Sequence, residues 1–378
     1  MRAAHRLGLP LREGNAVSLL QDGSAILNAT KALIRGARHA IVFEIYLWAD
    51  DAVGRDMAEL IIAAKARGVE VRGVVDDLGT WGSGAMLSRI DAAGIPLLRF
   101  HPVAPWRPLR IMNRRNHRKL LIADGSEAVV GSANWGLDYD AEANPKAFFD
   151  VGVALRGPIV KDLVEDFDRV WKRSRGKDFN PVVREEPALW KGPWLESATV
   201  QLVTSAGRGG ISAIRRHLRL LISQARKELL IANAYFVPGI SLLRLLARAA
   251  SRGVDVRILV PGRSDNGFVQ AAGRASYGKL LNSGVRIFER QGRMLHSKAA
   301  LFDESLSLIG SGNFDPRSFR LNLELNLAIH HPELARELQT IFEKHQTQSV
   351  EIQAQEWARR PWWRRAYERF AYLFRWML

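Results

Sequence analysis

His117-Arg-Lys119-Leu-Leu-Ile-Ala-Asp124 and His296-Ser-Lys298-Ala-Ala-Leu-Phe-Asp303 are one pattern, His-x-Lys-x4-Asp, written twice in the chain. Each copy is followed by a second match, Gly131-Ser132-Ala-Asn134 and Gly310-Ser311-Gly-Asn313. All six matched positions are offset by the same 179 residues, from 117 to 296. Nine histidines are present, and none of the other seven has a lysine two residues on. A lone motif of this kind is a weak signal, but two copies at equal spacing are a strong one. On a strand, side chains at i and i+2 share a face, so His117 points with Lys119 and His296 with Lys298.

The flanking sequence repeats as well. In the first half, Ala40-Ile-Val-Phe-Glu-Ile-Tyr-Leu-Trp48 reads as a buried strand, a helical run near Val53–Arg67 ends at Gly68, and Val69–Val75 reads as a strand. The second half repeats the order with strand Leu229–Val237, helix Ser241–Arg252, Gly253 and strand Val254–Val260. The hinge tripeptides match, Arg67-Gly68-Val69 and Arg252-Gly253-Val254. Strands alternating with helices of this length predict an α/β fold. Between the halves, Arg175–Ser197 is rich in Pro, Gly and charge and reads as a linker.

Composition narrows the chemistry. At 378 residues with 47% apolar content, the chain can fill two cores. A formal charge of +16 predicts anionic partners: nucleic acid, anionic lipid or phosphate-bearing substrates. With no cysteine, disulfides, thiolate catalysis and zinc-thiolate sites are excluded. Met1–Asn15 has no apolar core of a secretory signal. The apolar stretch 39–49 carries Glu44 and is too short to span a bilayer. A location in the cytoplasm or on a membrane face is therefore expected.

These residues resemble the phospholipase D superfamily along nearly the whole chain, and most of all its bacterial type-B cardiolipin synthases, which lack transmembrane helices. Supporting stretches are Arg12-Glu-Gly-Asn15, Arg114-Arg-Asn-His-Arg-Lys119, Asn144-Pro-Lys-Ala147, Gly157-Pro158, Ala232-Asn-Ala-Tyr235 with Pro238-Gly239, Asn313-Phe-Asp-Pro-Arg-Ser318 and Leu321-Asn-Leu-Glu-Leu325. The resemblance implies two tandem phospholipase D-like α/β domains, each a mainly mixed β-sheet flanked by helices. A pseudo-twofold would relate them, with the active site at their interface. The corresponding division is 1–175 for the first domain, 176–198 for a linker, 199–347 for the second domain and 348–378 for a C-terminal tail.

Bringing the two motifs together supplies two imidazoles and two ammonium groups around one phosphate. A neutral histidine attacks phosphorus while a protonated one donates to the leaving oxygen; the resemblance makes His117 the nucleophile and His296 the acid. The lysines, with Ser132, Asn134, Ser311 and Asn313, are expected to hold the non-bridging oxygens. This chemistry needs no metal or other cofactor. The motif counts Asp124 and Asp303 with His117, Lys119, His296 and Lys298 as the candidate catalytic set. Asp124, however, lies seven residues after His117, an odd offset that turns it away on a continuous strand, so it is expected to brace a loop. Asp150 and Glu324 are acids inserted in apolar strands, 33 and 28 residues after His117 and His296. Each needs a partner when buried, and the family pattern puts such acids behind the histidines to orient them.

The tail Trp362–Leu378 places Trp362, Trp363, Tyr367, Phe370, Leu373, Phe374 and Met377 on one side of a helical wheel. Its arginines and Glu368 fall on the other, with Tyr372 and Trp376. A basic, aromatic-rich amphipathic helix predicts in-plane membrane binding through Trp362, Trp363, Phe370 and Phe374; docking on the protein core is the competing expectation. The loop Pro102–Arg115 offers Trp106, Leu109, Ile111 and Met112 as a second membrane contact. Together with the resemblance, these features predict transfer of a phosphatidyl group between two phosphatidylglycerol molecules, giving cardiolipin and glycerol through a phosphohistidine. The alternatives are hydrolysis to phosphatidic acid and a nuclease of the same superfamily, although no nucleic-acid-reading module is visible. The expected partners are phosphatidylglycerol and the cytoplasmic side of the cell membrane, with a peripheral attachment. No obligate protein partner is indicated.

Overall fold

The computed structural model describes residues 9–103, 113–177, 189–205 and 213–377. The first half runs β1 (Arg12–Leu20), α1 (Gly23–Gly36), β2 (Ala40–Ile45), α2 (Ala52–Ala66), β3 (Glu70–Asp76), α3 (Gly84–Ala92), β4 (Leu97–Phe100), β5 (Leu120–Ala123), β6 (Glu127–Gly131), β7 (Gly152–Arg156) and α4 (Ile159–Arg173). The second half runs β8 (Leu195–Thr204), α5 (Ala213–Gln224), β9 (Glu228–Asn233), α6 (Ile240–Ser251), β10 (Asp255–Pro261), α7 (Gly267–Arg274), α8 (Tyr277–Leu281), β11 (Arg286–Arg290), β12 (Lys298–Phe302), β13 (Leu306–Gly310), α9 (Pro316–Arg320), β14 (Leu325–His330) and α10 (Pro332–Gln346). The described chain ends with β15 (Ser349–Glu351), α11 (Ala354–Ala358) and α12 (Trp362–Leu373).

All fifteen strands of the described residues lie in one sheet, ordered β15-β11-β10-β9-β12-β13-β14-β8-β1-β7-β6-β5-β2-β3-β4. Reading outward from the β1–β8 junction, the two sides match strand for strand, with β15 as the single addition. β2-β3-β4 in the first half and β9-β10-β11 in the second run parallel, β15 pairs antiparallel with β11, and the inner strands of both halves are antiparallel. This is the mixed sheet with two like halves that the resemblance implies, the halves here sharing one continuous sheet. The halves are joined edge to edge by antiparallel pairing of β1 with β8. β8 begins at Leu195, within the stretch read from composition as a linker.

One face of this sheet carries a core shared by both halves. Phe167 and Trp171 of α4 and Leu334 and Phe342 of α10 pack there with Val17, Val153, Leu202 and Leu327. The other face has two separate cores, one under α1–α3 and one under α5, α6 and α8. Strands covered on both faces read as continuous apolar runs, which is why β5 and β12 look alike in sequence. The repeated Arg-Gly-Val hinge also has a physical cause. Gly68 and Gly253 both adopt φ +90°, a helix-ending conformation that favours glycine. The arginine before each reaches back to a helix carbonyl, Arg67 to Ile34 at 2.8 Å and Arg252 to Ile222 at 3.1 Å. Two strands are shorter than their apolar runs suggest, β2 stopping at Ile45 and β9 at Asn233. The residues beyond them turn over the end of the sheet, where they meet the motifs.

Candidate active site

The two motifs meet because each half hydrogen-bonds its lead-in to the acid-bearing segment of the other. The His117 amide donates to the Leu323 carbonyl at 2.9 Å, and the Leu323 amide donates to Arg115 at 2.9 Å. Symmetrically, the His296 amide donates to Phe149 at 2.8 Å and the Phe149 amide to Met294 at 2.8 Å. Each histidine is therefore delivered to the carboxylate of the opposite half. His117 Nδ1 lies 3.0 Å from Glu324, and His296 Nδ1 lies 3.0 and 3.2 Å from the two oxygens of Asp150. Both acids are fully buried. The expectation that they stand behind the histidines describes what is seen, but the pairing crosses between halves. Nothing in the spacing of either half carries that information, since it arises from the two bridges.

A carboxylate at Nδ1 leaves Nε2 of each ring facing the site, with the Nδ1 proton donated to the acid. Lys119 Nζ donates to the His117 carbonyl at 2.7 Å, and Lys298 Nζ donates to that of His296 at 2.5 Å. Lys298 Nζ also stands 2.9 Å from His296 Nε2. Tyr46 packs edge-on to His117 at 5.0 Å, and Tyr139, Phe148 and Tyr235 surround His296 at 5.3, 5.6 and 6.3 Å. These aromatic walls were not read as site residues in the sequence, because they sit on turns outside both motifs.

Other assigned residues lie elsewhere. Ser132 Oγ donates to Asp150, and Ser311 Oγ donates to Glu324 at 2.5 Å, so both hydroxyls hold the acids rather than face a phosphate. A buried carboxylate needs donors, and these serines are the nearest. Asn134 bridges the Leu47 amide and the Tyr139 hydroxyl. The Asn313 amide donates to Ser318 Oγ, while its side-chain oxygen is buried without a partner among the described residues. Asp124 accepts from the amides of Arg38, His39 and Ala40, and Asp303 from those of Arg226, Lys227 and Glu228. Both aspartates thus tie the start of a neighbouring strand at the end remote from the histidines. Arg118, between the motif His and Lys, is buried against Asp166 at 2.7 Å and Glu44 at 3.4 Å. Glu44 also accepts from Asn116 at 2.7 Å, so a buried ionic cluster underlies the first motif. Trp106, Leu109, Ile111 and Met112 lie outside the described residues.

Burial sets the protonation states. It holds His117 down at about 4 despite Glu324, and it lowers His296, which Lys298 lowers further. It also brings Lys298 down to about 8, and drives Lys119 well below the ordinary lysine range together with the charge of Lys298. Burial pushes Asp150 and Glu324 up, but the paired histidines and lysines outweigh it and keep both ionised. The site accordingly offers neutral imidazoles. A bound phosphodiester adds the negative charge that stabilises the lysines and a proton on His296.

A pH dependence follows, with a definite sign. Desolvation disfavours an ammonium, so the Lys298 proton leaves as pH rises through about 8. Activity expressed as kcat/KM is expected to fall as pH rises through the lowered titration of His296 and then that of Lys298 at about 8, and to fall again on acidification toward about 4, where His117 protonates. The measurement is a pH–rate profile on a soluble phosphodiester. A rate constant that stays flat well into the alkaline range would show that a charged lysine is not required.

Two α/β halves that meet at a doubled His–Lys cluster backed by crossed acids define a phospholipase D-like protein, and the chain belongs to that family. Within it, the family described as "Cardiolipin synthase, PLD-like domain" matches residues 30–171 and 218–346. Cardiolipin synthase B of Escherichia coli K12 is 33% identical over 332 residues, spanning 84% of this chain and 77% of that protein. Cardiolipin synthase A of Yersinia pseudotuberculosis is 32% identical over 377 residues, spanning 98% and 77%. The fold is similar to that of phosphatidylserine synthase from Haemophilus influenzae, with a TM-score of 0.75 at 16% identity over 100% of this chain and 99% of that one.

Proposed function

We propose that this protein is a cardiolipin synthase that moves a phosphatidyl group from one phosphatidylglycerol to another. The observation that carries the reading is the crossed pair of histidine–carboxylate units flanked by two lysines, in a chain of the cardiolipin synthase family. His117 Nε2 attacks phosphorus, the bond to the head-group glycerol breaks, and the departing oxygen takes a proton from His296. The phosphatidyl-histidine is then attacked by a primary hydroxyl of a second phosphatidylglycerol, whose proton passes to the now neutral His296. The P–N bond breaks, releasing cardiolipin and restoring His117. One phosphodiester replaces another, so the overall step requires no nucleotide. Lys119 and Lys298 stabilise the charge that develops on the non-bridging oxygens.

Attachment at a membrane surface is supported by the tail. Among the described residues no helix is long and apolar enough to cross a membrane. Instead α12 lies on the protein: Ala371 is buried with Val237 and Val269, Tyr372 Oη donates to Pro238 at 2.7 Å, and the rings of Tyr367 and Phe374 lie 6.4 and 5.9 Å from that of Phe268, so Phe374, expected at the membrane, packs partly on the protein. That contact uses part of the polar side of the wheel. Trp362, Trp363 and Phe370 stay 78, 56 and 53% exposed, so docking on the protein and display of an aromatic face occur together. The excess positive charge favours the anionic cytoplasmic leaflet.

The decisive experiment supplies phosphatidylglycerol vesicles labelled in the head group and follows glycerol release with cardiolipin formation. Phosphatidic acid as the only product would make the protein a hydrolase, and cleavage of oligonucleotides alone would move it to a nuclease. With the triple variant Trp362→Ala, Trp363→Ala, Phe370→Ala, vesicle co-sedimentation is expected to weaken at least about tenfold, since each fully buried aromatic is worth roughly 1.5–3 kcal/mol. Its thermal stability should change little, because these side chains are already in water. Unchanged sedimentation would leave the helix no membrane role.

A further inference from the structure

A cavity of about 280 Å³ opens beside α9, bounded by α5, the start of α6 and the end of the tail. Arg215, Arg219, Arg320 and Arg375 line it, with Ile240 and Trp376 at its wall. Among the described residues no carboxylate does. None of the catalytic His, Lys, Asp or Glu side chains reaches it, yet α9 separates the two places by a single helical turn. Ser318 of α9 donates to Glu324 at 3.0 Å, while Pro316, Phe319 and Arg320 of the same turn face the cavity.

The pseudo-twofold gives this opening a counterpart position in the first half, and the two positions differ in chemistry. In the first half, the residue six places after β2 is Asp51, the cap of α2. Its carboxylate accepts from the Gly54 amide at 2.9 Å and the Leu137 amide at 2.7 Å. Six places after β9 stands Gly239, which caps α6 without a side chain. At the 179-residue offset, Leu137 becomes Pro316, which has no amide to donate. The carboxylate and its donor have both been removed, and four guanidinium groups surround the gap. The concentration of like charge is unfavourable when the cavity is empty: burial and then the charges of Arg320 and Arg219 lower the proton affinity of Arg215. Arginines around a concavity match the oxygens of a phosphodiester.

We infer that this cavity is a second, non-catalytic binding site for the phosphate head group of an anionic phospholipid, which holds the enzyme at the bilayer beside its active site. The inference rests on the lipid reading proposed above. A lipid rather than a soluble phosphate is favoured by the rim, where Ile240 and Trp376 are 47 and 58% exposed next to the aromatic face of the tail. The tail itself completes the wall through Arg375, and the Met377 carbonyl is held by Arg317 at 2.9 Å. The volume is close to the lower bound of about 300 Å³ for small-molecule sites, suited to a head group with the acyl chains left outside.

The test uses the full chain with His117→Ala and His296→Ala to prevent turnover, titrated calorimetrically with dihexanoyl phosphatidylglycerol below its micelle concentration. Two binding events are expected. Adding Arg219→Gln and Arg320→Gln should weaken one of them about tenfold or more, the effect of losing charge-assisted hydrogen bonds. A second variant, Gly239→Asp, restores the carboxylate of the first half. A Cβ at Gly239 meets nothing nearer than Pro316 Cγ at 3.8 Å, so this variant should fold with a raised Tm and still lose the event. In the otherwise wild-type enzyme, Gly239→Asp should raise the KM for phosphatidylglycerol vesicles about tenfold and leave turnover of the monomeric short-chain lipid unchanged. One binding event in the parent, or two undiminished events in both variants, would overturn the site. Inorganic phosphate abolishing that event at equal concentration would overturn the lipid assignment. Because binding is read without turnover, the cavity and the proposed activity fail separately: two events with no cardiolipin made spares the first and sinks the second.

Discussion

His117→Ala is expected to abolish the covalent intermediate and reduce phosphatidyl transfer by about 10⁴-fold or more, as loss of a nucleophile does when no neighbouring group replaces it. The geometry gives the reason. Glu324 holds Nδ1 of this ring, burial keeps the imidazole neutral down to about pH 4, and Nε2 is left with its lone pair toward the site. His296→Ala should be nearly as damaging with phosphatidylglycerol, whose glycerol departs as a poor leaving group. With a p-nitrophenyl phosphodiester, which needs no proton on departure, His296→Ala should recover a burst of product while His117→Ala stays inert. Acid-labile, phosphatidyl-labelled protein trapped by rapid quench is the direct readout. Labelled protein that persists in His117→Ala would reassign the nucleophile to His296.

The crossed acids make the second large prediction. Glu324→Gln is expected to cost about 10²–10⁴-fold for any leaving group, because it removes the carboxylate that fixes the tautomer of the attacking ring. Asp150→Asn should cost a similar amount with phosphatidylglycerol, yet be largely restored by the p-nitrophenyl diester, because Asp150 serves the proton-donating ring. Were each acid to serve the histidine of its own half, the two outcomes would be exchanged. The experiment therefore reads the topology of the bridges through kinetics. Both substitutions are nearly isosteric, and thermal melts will report any loss of fold. Glu324 also accepts from Ser311, Ser318 and Asn322, and these donors remain to hold the carboxamide oxygen after Glu324→Gln.

The serines illustrate how far a motif can be read. Ser132 and Ser311 sit at matched positions after the two histidines, and a hydroxyl beside a phosphate chemistry suggests a phosphate ligand. The folded chain gives them a prior obligation: Asp150 and Glu324 are wholly buried, and a hydroxyl in reach of a buried carboxylate binds it. The tail shows the reverse case. Its wheel displays two faces clearly, but which one touches the protein depends on shapes contributed by Val237, Val269 and Pro238, more than 90 residues earlier in the chain. The protein took the stripe through Ala371 and Tyr372 and leaned Phe268 on Tyr367 and Phe374, while Trp362, Trp363 and Phe370 remained outside.

What the amino-acid order determined alone is whatever depends on local period and exact repetition. The i, i+2 spacing kept each histidine beside its lysine, although β5 and β12 begin only at Leu120 and Lys298 and Asp124 lies in the turn after β5. The duplicated 179-residue pattern required two like halves, and the Arg-Gly-Val hinges ended matching helices at matching places. Tertiary structure alone decided which acid meets which histidine, which tyrosines wall them in, and that a cavity lies where Gly239 and Pro316 replace the hydrogen-bonded Asp51 and Leu137. Those outcomes join residues tens to hundreds of positions apart through two short bridges and one sheet junction. The pairs of His117 and Lys119 with His296 and Lys298 are visible in the chain; their exchange of carboxylates exists only once the halves have met.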